Sequence, residues 1–167
     1  MLTNTQEGRQ LINEAAYAVI RQEAPQELPM YVTIRDQYFA DPERFIESQH
    51  PEDEALGFGG VALASSLSQI VFPILTAILV HVVNEAAKTM KDEGGTKAAD
   101  WVRSLFTSET KKDAPQAQPL FTPAQLEVIK REIQQIADVE ARRIGVSKRN
   151  ISRVSDAVIA RLAPLMT

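Results

Sequence analysis

The stretch GFGGVALASSLSQIVFPILTAILVHVV, from Gly57 to Val83, decides how the rest of the chain is interpreted. It belongs to a longer run, residues 55–84, that contains no Asp, Glu, Lys or Arg. About 20 predominantly apolar residues in a helix are enough to cross the hydrocarbon core of a bilayer. A helix that is apolar on all sides is either such a span or the centre of a helical bundle. The sequence therefore predicts a central apolar helix at about 61–90, and it leaves open whether lipid or protein covers that helix.

Small and polar residues within the run recur at spacings of four, three, four and three. This spacing keeps their side chains along one side of a helix. Small and hydroxylated side chains on one stripe allow membrane helices to pack closely, and the same stripe could line a pore in an oligomer. The proline in the stripe predicts a kink, which membrane helices tolerate. The predicted helix-packing or pore-lining residues are Ala62, Ser66, Gln69, Pro73 and Thr76.

The charges beside the run bear on three alternatives: a permanent span, a soluble form that inserts later, and a buried core helix. Cytoplasmic flanks favour Lys and Arg, and here Lys88, Lys91 and Lys97 follow the run. A permanent span would thus carry the acidic residues 1–54 across the membrane, although the chain starts without a signal-peptide pattern. The expected location is the cytoplasm, with membrane association in the first two alternatives.

The segments around the run predict an all-α fold: a helical bundle around a long central hydrophobic helix, with a tethered C-terminal helical hairpin. Apolar residues recur at helical spacing from Gln6 to Glu23. Thr122-Pro123 is typical of a helix start, and Gly145 of a helix end. Only Met30–Ile34, which is rich in β-branched residues, is expected to be a short extended segment. The coarse plan is about six helices.

The polar and proline-containing stretch after the run predicts a division of the chain. A helical domain would occupy residues 1–106 and contain the apolar helix. Residues 107–120 read TSETKKDAPQAQPL, a composition typical of a linker. The hairpin would then occupy residues 121–167.

The sequence ARRIGVSKRNISRV, from Ala141 to Val154, resembles the helix-turn-helix of the lactose-repressor family of transcription regulators. The matching features are Ala141, the turn Gly145-Val146-Ser147, and Ile151, Ser152, Arg153 and Val154 on the second helix. In that family the second helix enters the DNA major groove. The resemblance implies phosphate and base contacts from Ser147, Lys148, Arg149 and Arg153. One departure is Glu140, at a position where the family carries an apolar residue.

Charge is divided unequally along the chain, whose net charge is −4. Residues 1–54 hold four arginines against eleven acidic residues, whereas the chain from Glu85 onward holds fourteen basic residues against eleven acidic ones. The basic residues near the hairpin turn could bind an anionic membrane or nucleic acid, or could simply form the solvated side of amphipathic helices. The candidate anionic-partner residues are Arg142, Arg143, Lys148, Arg149 and Arg153.

Residue types that common enzyme and metal sites require are scarce. The chain has no cysteine, which excludes thiolate catalysis and Cys-ligated metals. Its two histidines, His50 and His81, lie in unlike contexts, and no phosphate-binding P-loop or G-x-S-x-G nucleophile motif occurs. We therefore expect no enzymatic activity, no metal and no cofactor.

The sequence as a whole favours a small helical effector or adaptor that acts through its apolar helix. Two modes remain open, membrane association or insertion and helix-mediated self-assembly. The expected partners are a second copy of the chain, another helical protein, or an anionic membrane, with nucleic acid as a further alternative. A DNA-binding regulator that uses the hairpin and a soluble homo-oligomeric adaptor are the alternative functions.

Overall fold

The computed structural model describes residues 2–48, 66–107, 120–146 and 148–162, and these residues contain seven α-helices and no strand. The predicted all-α bundle is therefore confirmed. Two short 3₁₀ turns, Leu2–Asn4 and Pro25–Glu27, lie on either side of the first helix. The helices are α1 (Gln6–Glu23), α2 (Leu28–Ala40), α3 (Pro42–Glu47), α4 (Leu67–Met90), α5 (Thr96–Thr107), α6 (Pro123–Ile144) and α7 (Lys148–Leu162).

The apolar run forms the central helix, α4, which packs against α1, α2, α5, α6 and α7. The six consecutive residues from Ile70 to Leu75 are all buried. Because a helix turns every 3.6 residues, burial of six in succession means that protein surrounds this part of α4 on every side. The predicted central helix is confirmed from Leu67 to Met90, and its predicted beginning near Val61 lies outside the described residues.

Four of the surrounding helices, α1, α5, α6 and α7, are amphipathic and turn their apolar side toward α4. Residues of α1 that recur at helical spacing, such as Leu11, Ala15 and Val19, are at most 1% exposed. On α6 the stripe of Leu126, Ile129 and Ile133 is buried in the same core. Burying a Leu or Ile side chain contributes about 1.5–3 kcal/mol, so this shared core is the main source of stability.

The prediction of an extended segment at Met30–Ile34 is wrong, because the structure places these residues in α2. Tyr31, Ile34 and Tyr38 are buried, and their spacing of three and four places them on one side of a helix. The Tyr31 and Tyr38 rings lie 5.5 and 5.4 Å from the ring of Phe72 on α4. The strand preference of β-branched residues amounts to a fraction of a kcal/mol per residue, and the burial of two tyrosines outweighs it.

The C-terminal end of α4 is formed by the local chain. Lys91 has a left-handed backbone (φ 54°), and the Asp92 N–H donates to the Ala87 carbonyl at 2.9 Å. The Lys91 N–H donates to the Lys88 carbonyl at 3.3 Å, which completes the hydrogen-bond pattern common at helix ends. The predicted end of the helix is thus confirmed, but a lysine takes the position expected for a glycine.

The C-terminal hairpin packs directly on the bundle, since both α6 and α7 contact α4. Thr122 and Gln125 form a capping box at the start of α6, and Gly145 (φ 77°) ends it, as predicted. The apolar sides of α6 and α7 belong to one core together with that of α4. The division at 107–120 remains a prediction because residues 108–119 lie outside the described residues.

Candidate functional site

The predicted polar stripe lies at the beginning and middle of α4, in several different environments. Ser66 is the N-cap residue of α4, yet its side chain makes no capping bond, and its buried hydroxyl has no hydrogen-bond partner among the described residues. Gln69 and Thr76 are half-buried and Pro73 is buried. Ala62 lies outside the described residues. The helix thus brings three members of the stripe to one side, and their role in packing or pore lining remains a prediction.

Thr76 makes its hydrogen bonds within the chain. Its hydroxyl donates to the carbonyl oxygen of Phe72 at 2.7 Å and lies 2.8 Å from the hydroxyl oxygen of Tyr38 on α2. Burial raises the pKa of Tyr38 above its ordinary value, an effect that the bond to Thr76 partly offsets. The side chain of Thr76 therefore joins α4 to α2 in the closed bundle.

Pro73 interrupts the hydrogen bonding of α4 near its beginning. Proline has no N–H, so the Gln69 carbonyl lacks the donor that an ordinary residue at position 73 would supply. The short segment Leu67–Phe72 is therefore joined to the rest of α4 by fewer backbone hydrogen bonds than a continuous helix provides. The predicted kink itself remains a prediction.

Glu27 is the residue at this site that the sequence analysis missed. It lies at the end of the 3₁₀ turn between α1 and α2, and its carboxylate reaches the first turn of α4. One oxygen accepts from the Leu67 N–H at 3.0 Å, and the other accepts from the Ser68 N–H at 2.7 Å and from the Ser68 hydroxyl. The N-terminal cap of the apolar helix is thus supplied by a residue 40 positions earlier in the chain. We call these three hydrogen bonds the Glu27 cap.

Four of the five candidate anionic-partner residues lie together at the turn between α6 and α7. Arg142, Arg143, Lys148 and Arg149 are exposed and come from both sides of Gly145. We call this group the basic turn. Arg143 pairs with Glu140 at 3.2 Å, and Ser147 lies outside the described residues. The basic turn therefore places four cations at one end of the hairpin.

Arg153, the fifth candidate, lies against α1 instead. Its guanidinium lies 3.6 Å from the carboxylate of Glu23 and donates to the Glu23 carbonyl. This carbonyl belongs to the last turn of α1, where carbonyl groups lack partners within the helix. Arg153 thus fastens α7 to the end of α1, which the helical-wheel pattern of α7 alone does not reveal.

The helix-turn-helix resemblance fits the structure only in part. The exposed side of α7 contains Arg149, Ser152 and Asp156, so a carboxylate would lie beside the phosphates of a bound duplex. Arg153, which the resemblance assigns to DNA, is paired with Glu23. Glu140 has a side chain only 14% exposed and pairs with Arg143 where the family has an apolar contact.

Two further polar contacts fix α4 and α5 in the bundle. His81 of α4 lies 2.8 Å from the carboxylate of Glu132 on α6, at the rim of an open surface groove. Glu14 of α1 accepts two hydrogen bonds from Arg103 of α5, at 2.6 and 2.8 Å. Within the described ranges no three His, Asp or Glu side chains are arranged to bind a metal ion.

Comparison of the chain with protein-family models, with curated proteins and with solved structures finds no match. In the described part of the chain, α4 alone is long and apolar enough to cross a membrane. Of the residues in its most apolar stretch, 61% are buried inside the bundle, as in the core helix of a soluble protein. The function is therefore inferred from the way in which the bundle encloses this helix.

Proposed function

We propose that this protein is a non-enzymatic, membrane-active helical bundle, which encloses α4 in its soluble form and transfers it to a bilayer. One observation carries the proposal: a helix of 24 residues that bears no charge from Leu67 to Asn84 is covered by five other helices. Such a helix is about 36 Å long, against a hydrocarbon core of about 30 Å.

The exchange of protein for lipid around α4 is energetically reasonable. Lipid chains are as apolar as the side chains that now cover α4, so its apolar surface stays out of water in both states. Four of the five covering helices, α1, α5, α6 and α7, are amphipathic, and such helices can lie in the membrane interface with their apolar side in the lipid. The polar groups of Gln69 and Thr76 are of the kind that membrane helices use for contacts with each other.

The basic turn supports an initial contact with anionic lipid. Each Lys or Arg close to an anionic surface contributes about 1 kcal/mol of attraction, and the basic turn has four such residues, of which Arg143 is paired with Glu140. The chain as a whole is acidic, with an isoelectric point near 5.3. We therefore expect association to increase as the pH falls below this value, because the whole chain then becomes positively charged.

Vesicle binding tests this function. The full-length protein is mixed with vesicles of anionic or zwitterionic lipid at pH 7 and pH 4.5, and flotation and dye release are measured. We expect binding and release with anionic vesicles, more at the lower pH. Recovery of all the protein in the unbound fraction, with no dye release at either pH, would remove the proposal.

A charge within α4 tests whether this helix enters the lipid. Val80 is half-buried in the bundle, so Val80→Lys leaves its ammonium group able to reach water in the soluble form. A lysine near the centre of a span costs about 2.5–3.5 kcal/mol, so we expect dye release to fall by at least about tenfold. Val128→Lys on α6, at a position 49% exposed, is the matched control and should release dye like the wild type. Equal release by Val80→Lys and the control would show that α4 stays outside the lipid.

A further inference from the structure

The first turn of α4 depends on a carboxylate from another part of the chain. The first N–H groups of any α-helix lack partners within the helix and are usually capped by the residue just before it. Ser66 occupies that position and does not cap. The Glu27 carboxylate instead accepts from the N–H groups of Leu67 and Ser68 and from the Ser68 hydroxyl. A charged acceptor for three donors is therefore present at the beginning of the most apolar helix.

Water cannot easily replace this carboxylate in the closed bundle. Leu67 is 1% exposed and Ser68 is fully buried, so their N–H groups would lose their acceptor if Glu27 moved away. The partial positive charge at a helix N-terminus adds to the attraction for a carboxylate. Glu27 also ends the short 3₁₀ turn that joins α1 to α2, and both of these helices pack on α4. The Glu27 cap thus connects the joint of the two covering helices to the start of the helix that they cover.

We propose that the Glu27 cap is an autoinhibitory contact, which keeps the beginning of α4 in the closed bundle and whose loss opens that end first. Pro73 favours opening at this end, because the segment Leu67–Phe72 is connected to the rest of α4 by an incomplete set of backbone hydrogen bonds. The consequence for membranes rests on the proposed function, whereas the local opening does not.

The substitution Glu27→Gln removes one of the two acceptor oxygens of the Glu27 cap, together with its charge, with little change in size. Its amide oxygen can still accept from Leu67, but its NH₂ group then faces Ser68, whose N–H is also a donor. Ser68→Ala removes only the hydroxyl and should have a smaller effect. Glu14→Gln is the matched control, because it makes the same chemical change at a carboxylate that holds α1 to α5 and lies away from the start of α4.

Hydrogen exchange of the full-length protein measures the local opening. In Glu27→Gln we expect the amides of Leu67 to Phe72 to exchange about tenfold faster than in the wild type, with little change in the centre of α1 or α6. Glu14→Gln should leave the amides of Leu67 to Phe72 unchanged. Exchange in Glu27→Gln within twofold of the wild type would overturn the proposal, and so would an equal acceleration in every helix, which indicates general destabilisation.

Dye release from anionic vesicles measures the consequence. We expect Glu27→Gln to release dye several-fold faster than both the wild type and Glu14→Gln at pH 7. A further outcome is that the wild type releases dye, while Glu27→Gln opens locally but releases dye no faster. That result would overturn the autoinhibitory role. If no protein releases dye under any condition, the proposed function fails, and an autoinhibitory role fails with it even where exchange shows the local opening.

Discussion

The two ends of α4 are closed by different means. At the beginning, the acceptor comes from Glu27, 40 positions away, and the preceding Ser66 contributes no capping bond. At the end, Lys91 and Asp92 close the helix with hydrogen bonds to Ala87 and Lys88, all within six residues. The C-terminal end can therefore form whenever the helix forms, whereas the N-terminal end is complete only when the bundle is assembled.

The two ends of α4 are therefore stabilised in different ways, the C-terminal end by local hydrogen bonds and the N-terminal end by a tertiary contact. A contact made by neighbours in the chain survives any rearrangement that keeps the helix intact. A contact made by Glu27 breaks when α1 and α2 move away from α4. Only the beginning of α4 depends on a contact with the helices packed around it. Such a helix can leave those helices for lipid and still remain helical.

The largest expected effect on stability comes from removing the Glu27 cap. Glu27→Ala leaves the buried N–H groups of Leu67 and Ser68 without an acceptor, at about 1–3 kcal/mol for each group. We expect the free energy of unfolding, measured by urea titration, to fall by about 3 kcal/mol with an unchanged slope. A loss below about 0.5 kcal/mol would show that the cap contributes little to the closed bundle.

The control for that measurement is Glu14→Ala, at the ion pair between α1 and α5. The Arg103 side chain of this pair is 39% exposed, so water can solvate the group that remains. Exposed pairs contribute at most about 1 kcal/mol. Glu14→Ala should therefore cost clearly less than Glu27→Ala, and equal losses would contradict the special position of Glu27.

A smaller effect is expected from the tyrosines that α2 places against the first half of α4. Tyr38→Phe removes one hydrogen bond to Thr76, whose hydroxyl keeps its bond to the Phe72 carbonyl. We expect a loss of about 1 kcal/mol at neutral pH, measured by urea titration. A loss as large as that from Glu27→Ala would show that the middle of α4 depends on its tertiary contacts as much as the beginning does.

The same tyrosines predict how stability depends on alkaline pH. Burial raises the pKa of Tyr31 and of Tyr38 above the ordinary value of 10.0, so the unfolded chain ionises first as the pH rises. Their contribution to stability is thus complete below pH 10 and declines above it. We expect Tyr38→Phe to lose less stability than the wild type as the pH rises from 9 to 11, measured by urea titration. Identical declines in the two proteins would contradict the prediction.

The sequence was sufficient to predict the features that depend on near neighbours. The helical spacing in α1, the Thr122-Pro123 start and Gly145 end of α6, and the apolar character of α4 are all local patterns, and the structure confirms them. The one local pattern that misled was the β-branched content of Met30–Ile34. There the spacing of Tyr31, Ile34 and Tyr38 was the better signal, because it shows which side of a helix is buried.

The candidate site was less predictable because its contacts join distant parts of the chain. The pairing of Glu27 with Ser68, of Arg153 with Glu23 and of Glu14 with Arg103 spans 41, 130 and 89 positions. No spacing rule relates such positions in a single sequence. A charged residue on the exposed side of a predicted helix looks the same whether it lies in water, like Arg149, or caps another helix, like Arg153.

The smallest expected effect is at the C-terminal end of α4, where a single substitution should improve the local closure. Lys91 has φ 54°, a conformation that costs a residue with a Cβ about 1–2 kcal/mol and costs glycine little. Lys91→Gly relieves this cost and adds freedom to the unfolded chain, so we expect a net gain of about 0.5 kcal/mol in thermal or urea unfolding. Gly95→Ala is the opposite control, because Gly95 has φ 71° with open space around it, and only backbone strain should destabilise that variant. If Lys91→Gly instead destabilised the protein by more than 1 kcal/mol, the lysine side chain would be making a tertiary contact, and the contrast between a locally closed end and a remotely closed end of α4 would disappear.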